Sequence, residues 1–505
     1  MTRDRAIATP HHLATSAGEH MFAKGGNAVD AALAAAAVLT VVYPHNTSIG
    51  GDLTALVSTG STDPVLVDGF GYAPAGVDGT RWGSSGRVPS RGPESITVPG
   101  AVKGWKHLHD EYGSLPLATI LTPAIEHSHG YEIGRSVRTL IEKVSQESEA
   151  GRALIISLFG NDFETATTAS NPALGATLER LAAAGLDDFY RGEVAMKIDS
   201  YLRSIRPDFA LSDLADYEVK LEQSLSMQFA GLRVHTGGAP SQGFSFLRFL
   251  HDLRESLGTD SDVTAMTDAA LAEVWIDSFT RSDAIRDSIL AEGVNGEALL
   301  SPSLSASNPV PAPSAGGDTI GLAATDGHIS ISLIQSLYSS FGSLCFDPET
   351  GVLFQSRGSM FALDASSPQY VKPRVRPPHT LMPVMITDKA NVPKIVQSTM
   401  GGKAQAQIHA RLLIHLLRGD SPSEAISRPR WVSGAKAEQD PARTITVEDD
   451  VSTELRTILS HGAEGDVRTT PEHSDSLGHA NVIDLRGAKI LAASDPRSDG
   501  SAWIG

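Results

Sequence analysis

Cysteine is almost missing from this chain of 505 residues: Cys345 is the only one. No disulfide within the chain is therefore available, and a structural zinc site built on cysteines is excluded. Cys345 itself is expected to be a small buried hydrophobe. Basic residues are also short in number. Lys and Arg total 41 against 59 Asp and Glu, a formal net charge of -18. That balance disfavours nucleic acid and anionic membrane surfaces as partners. Long apolar runs are lacking too. The longest, Ala28 to Val42, has about 15 residues and carries Asp30, which is too short to cross a membrane. Met1-Thr2-Arg3-Asp4-Arg5-Ala6-Ile7 contains no apolar stretch of the signal-peptide kind, so a cytoplasmic protein is expected. What remains is ordinary for a soluble protein with a large core, at 41% hydrophobic and 20% charged residues.

Local patterning places the elements. Asn27 is a helix N-cap signal ahead of Ala28 to Val42, which is apolar all round and so predicts a fully buried helix ended by Tyr43-Pro44. The loop His45 to Asp52 follows, then strands at Leu53–Val57 and Val65–Asp68. Gly50-Gly51 implies a close backbone approach there, since it lacks the spacing of a phosphate cradle. Helices are expected at Leu117–His127, Ser136–Ser148, Pro172–Ala184, Arg191–Ile205, Phe244–Leu257 and within Ala265–Ala291. Asp213 to Asp216 reads as a short turn, and Leu221 to Val234 alternates like strands. Strands at Val384–Thr387 and Lys394–Ser398 precede a helix from about Lys403 to Arg418. This mixture favours helix layers on antiparallel sheets over a doubly wound parallel sheet.

The clearest break is the Ser/Pro-rich run Ser301 to Ala315. Gly316-Gly317-Asp318-Thr319 follows, and the chain then reads as a hairpin. Ile320–Ala324 is one arm, Thr325-Asp326-Gly327 the turn, and His328–Ile334 an alternating second arm. Asp326-Gly327 is read as a turn and nothing more. If the bond before Thr319 is cut, Thr319 carries a free α-amine beside its own hydroxyl, which pairs a nucleophile with a base. A lone Thr opening a strand is otherwise an ordinary β-former. Gly401-Gly402 by itself is a turn that opens a helix, and His379 and His409 have no partner at metal-ligand spacing, which favours hydrogen-bonded structural roles.

Several stretches together resemble the γ-glutamyltranspeptidase family. They are Lys24-Gly25-Gly26-Asn27-Ala28-Val29-Asp30-Ala31-Ala32, Ser48-Ile49-Gly50-Gly51-Asp52, Val98-Pro99-Gly100, Gly113-Ser114-Leu115-Pro116 and Phe189-Tyr190-Arg191-Gly192. Gly317-Asp318-Thr319 with Phe341-Gly342, Met400-Gly401-Gly402, and Ser494-Asp495-Pro496-Arg497 with Asp499-Gly500 complete the set. The resemblance implies an α+β N-terminal-nucleophile hydrolase, a four-layer αββα sandwich made as one precursor. It implies a cut between Asp318 and Thr319, leaving segments 1–318 and 319–505 associated in one intertwined domain. It gives Thr319 as nucleophile and, through its new amine, as base. Gly401 and Gly402 become the oxyanion pair, and Ser336 the hydroxyl that steadies the nucleophile. The partners it implies are a small-molecule amide substrate and the protein's own processed segment. No cofactor or metal is implied, and a homo-oligomer stays open.

The pocket departs from the family pattern. The family's carboxylate-binding Arg position holds Phe70, with Tyr72 just before Ala73-Pro74. Counting from Gly351, the positions that bind a glutamyl amine hold Arg357 and Met360. The Asn position holds Tyr338, and the Ser-Ser pair aligns with His379-Thr380. A glutamyl zwitterion would find both charges poorly matched here. The expected activity is thus a self-processing γ-glutamyltransferase-like amidohydrolase acting on γ-glutamyl or other acyl amides. A cephalosporin-acylase-like amidase and an uncut, catalytically silent ligand-binding member are the alternatives.

Overall fold

The computed structural model describes residues 5–82, 86–258, 263, 265–306, 318–435 and 440–505. The expected glycine-rich connection at Gly316-Gly317 lies outside them. Thirteen strands build the two main sheets. In chain order they are β1 (Ala6–Thr9), β2 (Asp52–Ser58), β3 (Val65–Gly69), β4 (Lys220–Gln223), β5 (Leu225–Phe229), β6 (Leu232–Thr236), β7 (Asp318–Thr325), β8 (Ser330–Tyr338), β9 (Val384–Thr387), β10 (Pro393–Met400), β11 (His479–Asp484), β12 (Leu491–Ser494) and β13 (Ser501–Ile504). The first sheet runs β13-β1-β7-β8-β2-β3-β4 and the second β12-β11-β10-β9-β6-β5. Every pairing within these two sheets is antiparallel, as the order of elements suggested.

Period-two alternation sorts the side chains into layers. In the first sheet Ile7, Leu53, Ala55, Val57, Val67, Leu322 and Ala324 face a core shared with the helices α1 (His12–Ala23), α2 (Ala28–Val42), α3 (Ala101–Tyr112), α4 (Leu117–Ser128) and α5 (Pro172–Ala184). The opposite face presents Ala6, Leu56, Leu66 and Ala323 to Met385, Val396 and Ile483 of the second sheet. The second sheet's far face, with Val384, Ile386, Ile395 and Val482, packs on α6 (Gly243–Leu257), α7 (Asp268–Ser288) and α8 (Gln405–Leu417). Each buried Val, Leu or Ile in these layers contributes roughly 1.5–3 kcal/mol. Between the sheets small residues permit close contact. A Cβ on Gly321 would lie 2.7 Å from the Thr399 nitrogen.

α2 is the buried helix that its sequence predicts: all of its residues are inside. Asn27 Oδ1 accepts from the backbone of Val29 at 2.9 Å and Asp30 at 3.1 Å, and the Asp30 carboxylate accepts from Asn27 N at 2.8 Å. Asp326 corrects the expectation of a plain turn. It is buried, accepts from His328 N and Ile329 N, and its Oδ2 also accepts from Ala28 N at 3.2 Å, tying the hairpin to the start of α2. The turn expected at Asp213–Asp216 is instead a short helix, Leu211–Ala215, because the Asp213 carboxylate caps Ala210 N. Cys345 is half-buried rather than fully inside. Among the described residues no helix is long and apolar enough to cross a membrane.

Candidate active site

The β7–β8 hairpin sets Thr319 opposite Ser336. Thr319 Oγ1 lies 2.9 Å from Ser336 Oγ, and Ser336 Oγ donates to the carbonyl of Asp318 at 3.0 Å. Tyr338 N donates to the same Ser336 Oγ at 2.8 Å. A serine hydroxyl has one proton to give, so with that proton on Asp318 O the Thr319 hydroxyl donates to Ser336. One side chain thus touches both the Thr319 hydroxyl and the peptide carbonyl preceding it. Asn46 Nδ2 donates to the Thr319 carbonyl at 3.2 Å.

The strand around Ser336 is held by its neighbours. Gly51 passes so close that an added Cβ would strike the Ser336 carbonyl, which bears out the close approach expected of Gly50-Gly51. The pairing then breaks in a bulge between Ser336 and Tyr338. Tyr338 takes φ +75, a left-handed conformation that costs a non-glycine residue of the order of 1 kcal/mol. The bulge swings its ring under Arg357, whose guanidinium stands 4.2 Å from the ring centroid, and its hydroxyl donates to Met360 Sδ at 2.8 Å.

Gly401 and Gly402 reach the same end of the hairpin. Ser332 donates to Gln397 O at 2.6 Å, and Gly321 abuts Thr399. Ser332 pairs with Ala323, so β10 advances as β7 is followed back toward Thr319. Gly401 comes next after Met400, at φ +150, and Gly402 sits at φ +53. Both values belong to the region that glycine tolerates. Gln242 Nε2 fixes the pair from behind, donating to Gly402 O at 2.8 Å and to Thr380 O at 2.9 Å.

Next to this lies a buried polar cluster. Asp52, at the start of β2, pairs with Ser336. Its Oδ1 accepts from Gly71 N at 2.7 Å and from Gln355 Nε2 at 2.8 Å. Its Oδ2 lies 2.8 Å from His379 Nε2 and 3.7 Å from Arg357 Nε. Phe70 stacks on the His379 ring at 3.6 Å. Burial above all, then the nearby Arg357, pushes His379 down to about 3, so it is neutral and holds its proton on Nε2 toward Asp52. Arg357 Nη1 donates to Thr380 Oγ1 at 3.0 Å. Burial lowers Arg357 to about 10, which leaves it charged at neutral pH.

Phe70, Tyr338, Arg357, Met360, His379 and Thr380 therefore come together beside Thr319 and Ser336. Tyr72 does not. Its hydroxyl donates to Asp213 O at 2.9 Å and its ring packs on Tyr217, because the chain after Phe70 turns to follow Val98. The sequence motifs assign no site role to Asp52, Asn46, Gln242 or Gln355. Asp52 left a signal in the sequence: a carboxylate opening an apolar strand must find partners once buried. His409 is the hydrogen-bonded structural residue expected, with Thr399 Oγ1, Met382 O and Gln397 Oε1 around its ring.

An enzyme of the amide-cleaving kind is the class to which this fold and cluster point, and comparison supplies the family. Residues 14–504 match the family model of gamma-glutamyltranspeptidase, so the chain belongs to that enzyme family. It is 31% identical to the glutathione hydrolase-like YwrD proenzyme of Bacillus subtilis, over 98% of this chain and 97% of that protein. It is 29% identical to the oxamate amidohydrolase proenzyme of Klebsiella pneumoniae, over 99% of this chain and 98% of that protein. Among solved structures, the cephalosporin acylase from Bacillus halodurans superposes with a TM-score of 0.83 at 25% identity, covering 99% of this chain and 96% of that one.

Proposed function

We propose that the protein is a self-processing amidohydrolase with the four-layer αββα arrangement of N-terminal-nucleophile hydrolases, and that Thr319 is its nucleophile. The observation that carries this is the placement of Ser336 Oγ, in contact with both Thr319 Oγ1 and the Asp318 carbonyl. Thr319 Oγ attacks the Asp318 carbonyl carbon, the C–N bond breaks, and the leaving nitrogen takes up the hydroxyl proton to become an amine. The resulting ester is opened by water, which returns the Thr319 hydroxyl and leaves Asp318 as a carboxylate. The new α-amine then takes the proton from Thr319 Oγ as it attacks a substrate amide. The amine product leaves, and water resolves the acyl-enzyme. Gly401 and Gly402 suit the oxyanion, since only bare backbone comes this close.

The acyl group is other than a classical γ-glutamyl head, because Phe70 stands where an Arg would be needed. The oxamate amidohydrolase and cephalosporin acylase relatives support an amide-cleaving activity with a changed acyl pocket. A denaturing gel of the purified protein tests the reading. Two bands of roughly 33 and 20 kDa, dividing 53.2 kDa by residue number, are expected, with one uncut band for Thr319→Ala and no amide turnover. A full-length band that persists in the unaltered protein would mark it as a silent binding member instead.

A further inference from the structure

We propose that the Nε–Nη2 edge of Arg357 is the receptor for a carboxylate on the acyl part of the substrate, so that the favoured class is the monoamides of small dicarboxylic acids. This rests on the reading of Thr319 as the nucleophile of an amide hydrolase.

Arg357 is fully buried, and only one of its nitrogens is used by the fold. Nη1 donates to Thr380 Oγ1. Nε and Nη2 have no hydrogen-bond partner among the described residues. Those two nitrogens form one edge of the guanidinium, with parallel N–H bonds at the spacing of two carboxylate oxygens. Leaving charged donors unmade inside a protein is costly, and a function is the usual reason for it. The Tyr338 ring lies against the guanidinium and fixes its plane.

Asp52 does not answer for this edge. Its nearest approach to Nε is 3.7 Å, longer than a hydrogen bond, and its Oδ2 is already engaged with His379. Its Oδ1 is taken by Gly71 N and Gln355 Nε2. Asp52 and Arg357 balance each other's charge, yet the donors of Arg357 remain open. The edge is also near the reacting atoms. Tyr338 donates its backbone N–H to Ser336 Oγ, and Asp52 is the strand partner of Ser336.

The same atoms disfavour an α-ammonium. A γ-glutamyl head would bring a second cation against Arg357. Each Asp52 oxygen already accepts a hydrogen bond, and the acceptors without a partner beside Thr319 and in this cluster, Asn46 Oδ1 and Gln355 Oε1, are neutral. A carboxylate without a neighbouring amine meets the open donors of Arg357 and brings no second cation beside it.

Three amides isolate the two charges. Glutaramate has the carboxylate only, glutamine adds the amine, and pentanamide has neither; the shorter monoamides from oxamate to succinamate are run beside their neutral counterparts. For the processed enzyme, kcat/KM for the best monoamide should exceed that of its neutral counterpart by about 100-fold, and glutaramate should exceed glutamine. Arg357→Gln should collapse the charged-to-neutral ratio to within about threefold, mostly through KM. A wild-type ratio near one, a preference for glutamine, or an unchanged ratio in Arg357→Gln would overturn the assignment. If Arg357→Gln does not fold, the wild-type enzyme decides: the methyl monoesters of the dicarboxylic acids, which keep one carboxylate, should inhibit at least ~30-fold better than the dimethyl esters, which keep none, and equal inhibition overturns it. The two levels separate cleanly. Turnover that survives Thr319→Ala defeats the nucleophile reading, whereas a cut, active enzyme indifferent to acyl charge defeats only the role of Arg357.

Discussion

The peptide bond between Asp318 and Thr319 is held by hydroxyls on both sides. Ser336 bonds its carbonyl, and Ser340 bonds the Asp318 carboxylate. Burial pushes the Asp318 carboxyl up to about 6; Ser340, Lys143 and Arg91 pull it down, and Asp475 raises it further. The folded precursor therefore binds this proton more tightly than the unfolded chain does. The stability it contributes is complete below the ordinary value of 3.8 and is lost as pH rises through about 6. As pH falls from about 7 to 5, Asp318 should therefore favour the uncut Thr319→Ala precursor over the same precursor carrying Asp318→Asn, while histidines lowered by burial, such as His379 and His479, act against both alike. Thermal melts of the two proteins across this range check it, and parallel curves would refute it. Thr319, Ser336 and the glycine pair were all legible as candidates in the sequence through the family's motifs. Asp52 and Gln242 were not, because their roles depend on which strand start and which helix start the fold brings to the site.

The controlling element is the hairpin made by β7 and β8. Its turn anchors α2, its open end carries Thr319 and Ser336, and its bulge aims Tyr338 at Arg357. Asp326→Ala should remove the bonds to His328 N and Ile329 N together with the cap on Ala28 N. The expected loss is about 1–2 kcal/mol, read from the midpoint of urea denaturation of the uncut precursor. A midpoint unchanged from the parent would show that Asp326 is only a turn residue after all. The hairpin itself was legible, since period-two alternation around an Asp-Gly turn is a local signal. The contact to α2 was not, because Asp326 and Ala28 are far apart in sequence and meet only after the sheet has packed on the helix.

For the molecule as a whole, the strand order interleaves the two halves of the chain. β7 and β8, which begin the second half, lie between β1 and β2 of the first. In the other sheet β9 of the second half pairs with β6 of the first. A cut at Asp318-Thr319 would leave each half with unpaired strand edges if it departed, and those edges are costly to expose. The two segments should therefore elute together in native size-exclusion chromatography and separate only in denaturant. Segments that part in native buffer would contradict the interleaving. Helix layers on antiparallel sheets were foreseeable from the order of the elements, whereas the crossing of the chain from one sheet to the other at Ser224, between β4 and β5, was not marked by any Gly or Pro in the sequence.

Sequence alone determined the buried helix α2, the hairpin, the absence of disulfides and the family, because periodicity, capping residues and ordered motifs are local properties that survive without coordinates. Tertiary structure alone decided the composition of the cluster beside Thr319. Phe70, Tyr338, Arg357, Met360, His379 and Thr380 were each suspected, but Tyr72 was turned away by the path of one loop, and Asp52 was brought in by strand register. Only the fold could show that Arg357 is buried with one edge unbonded, since hydrogen-bond satisfaction is a property of the finished packing and not of any residue's identity.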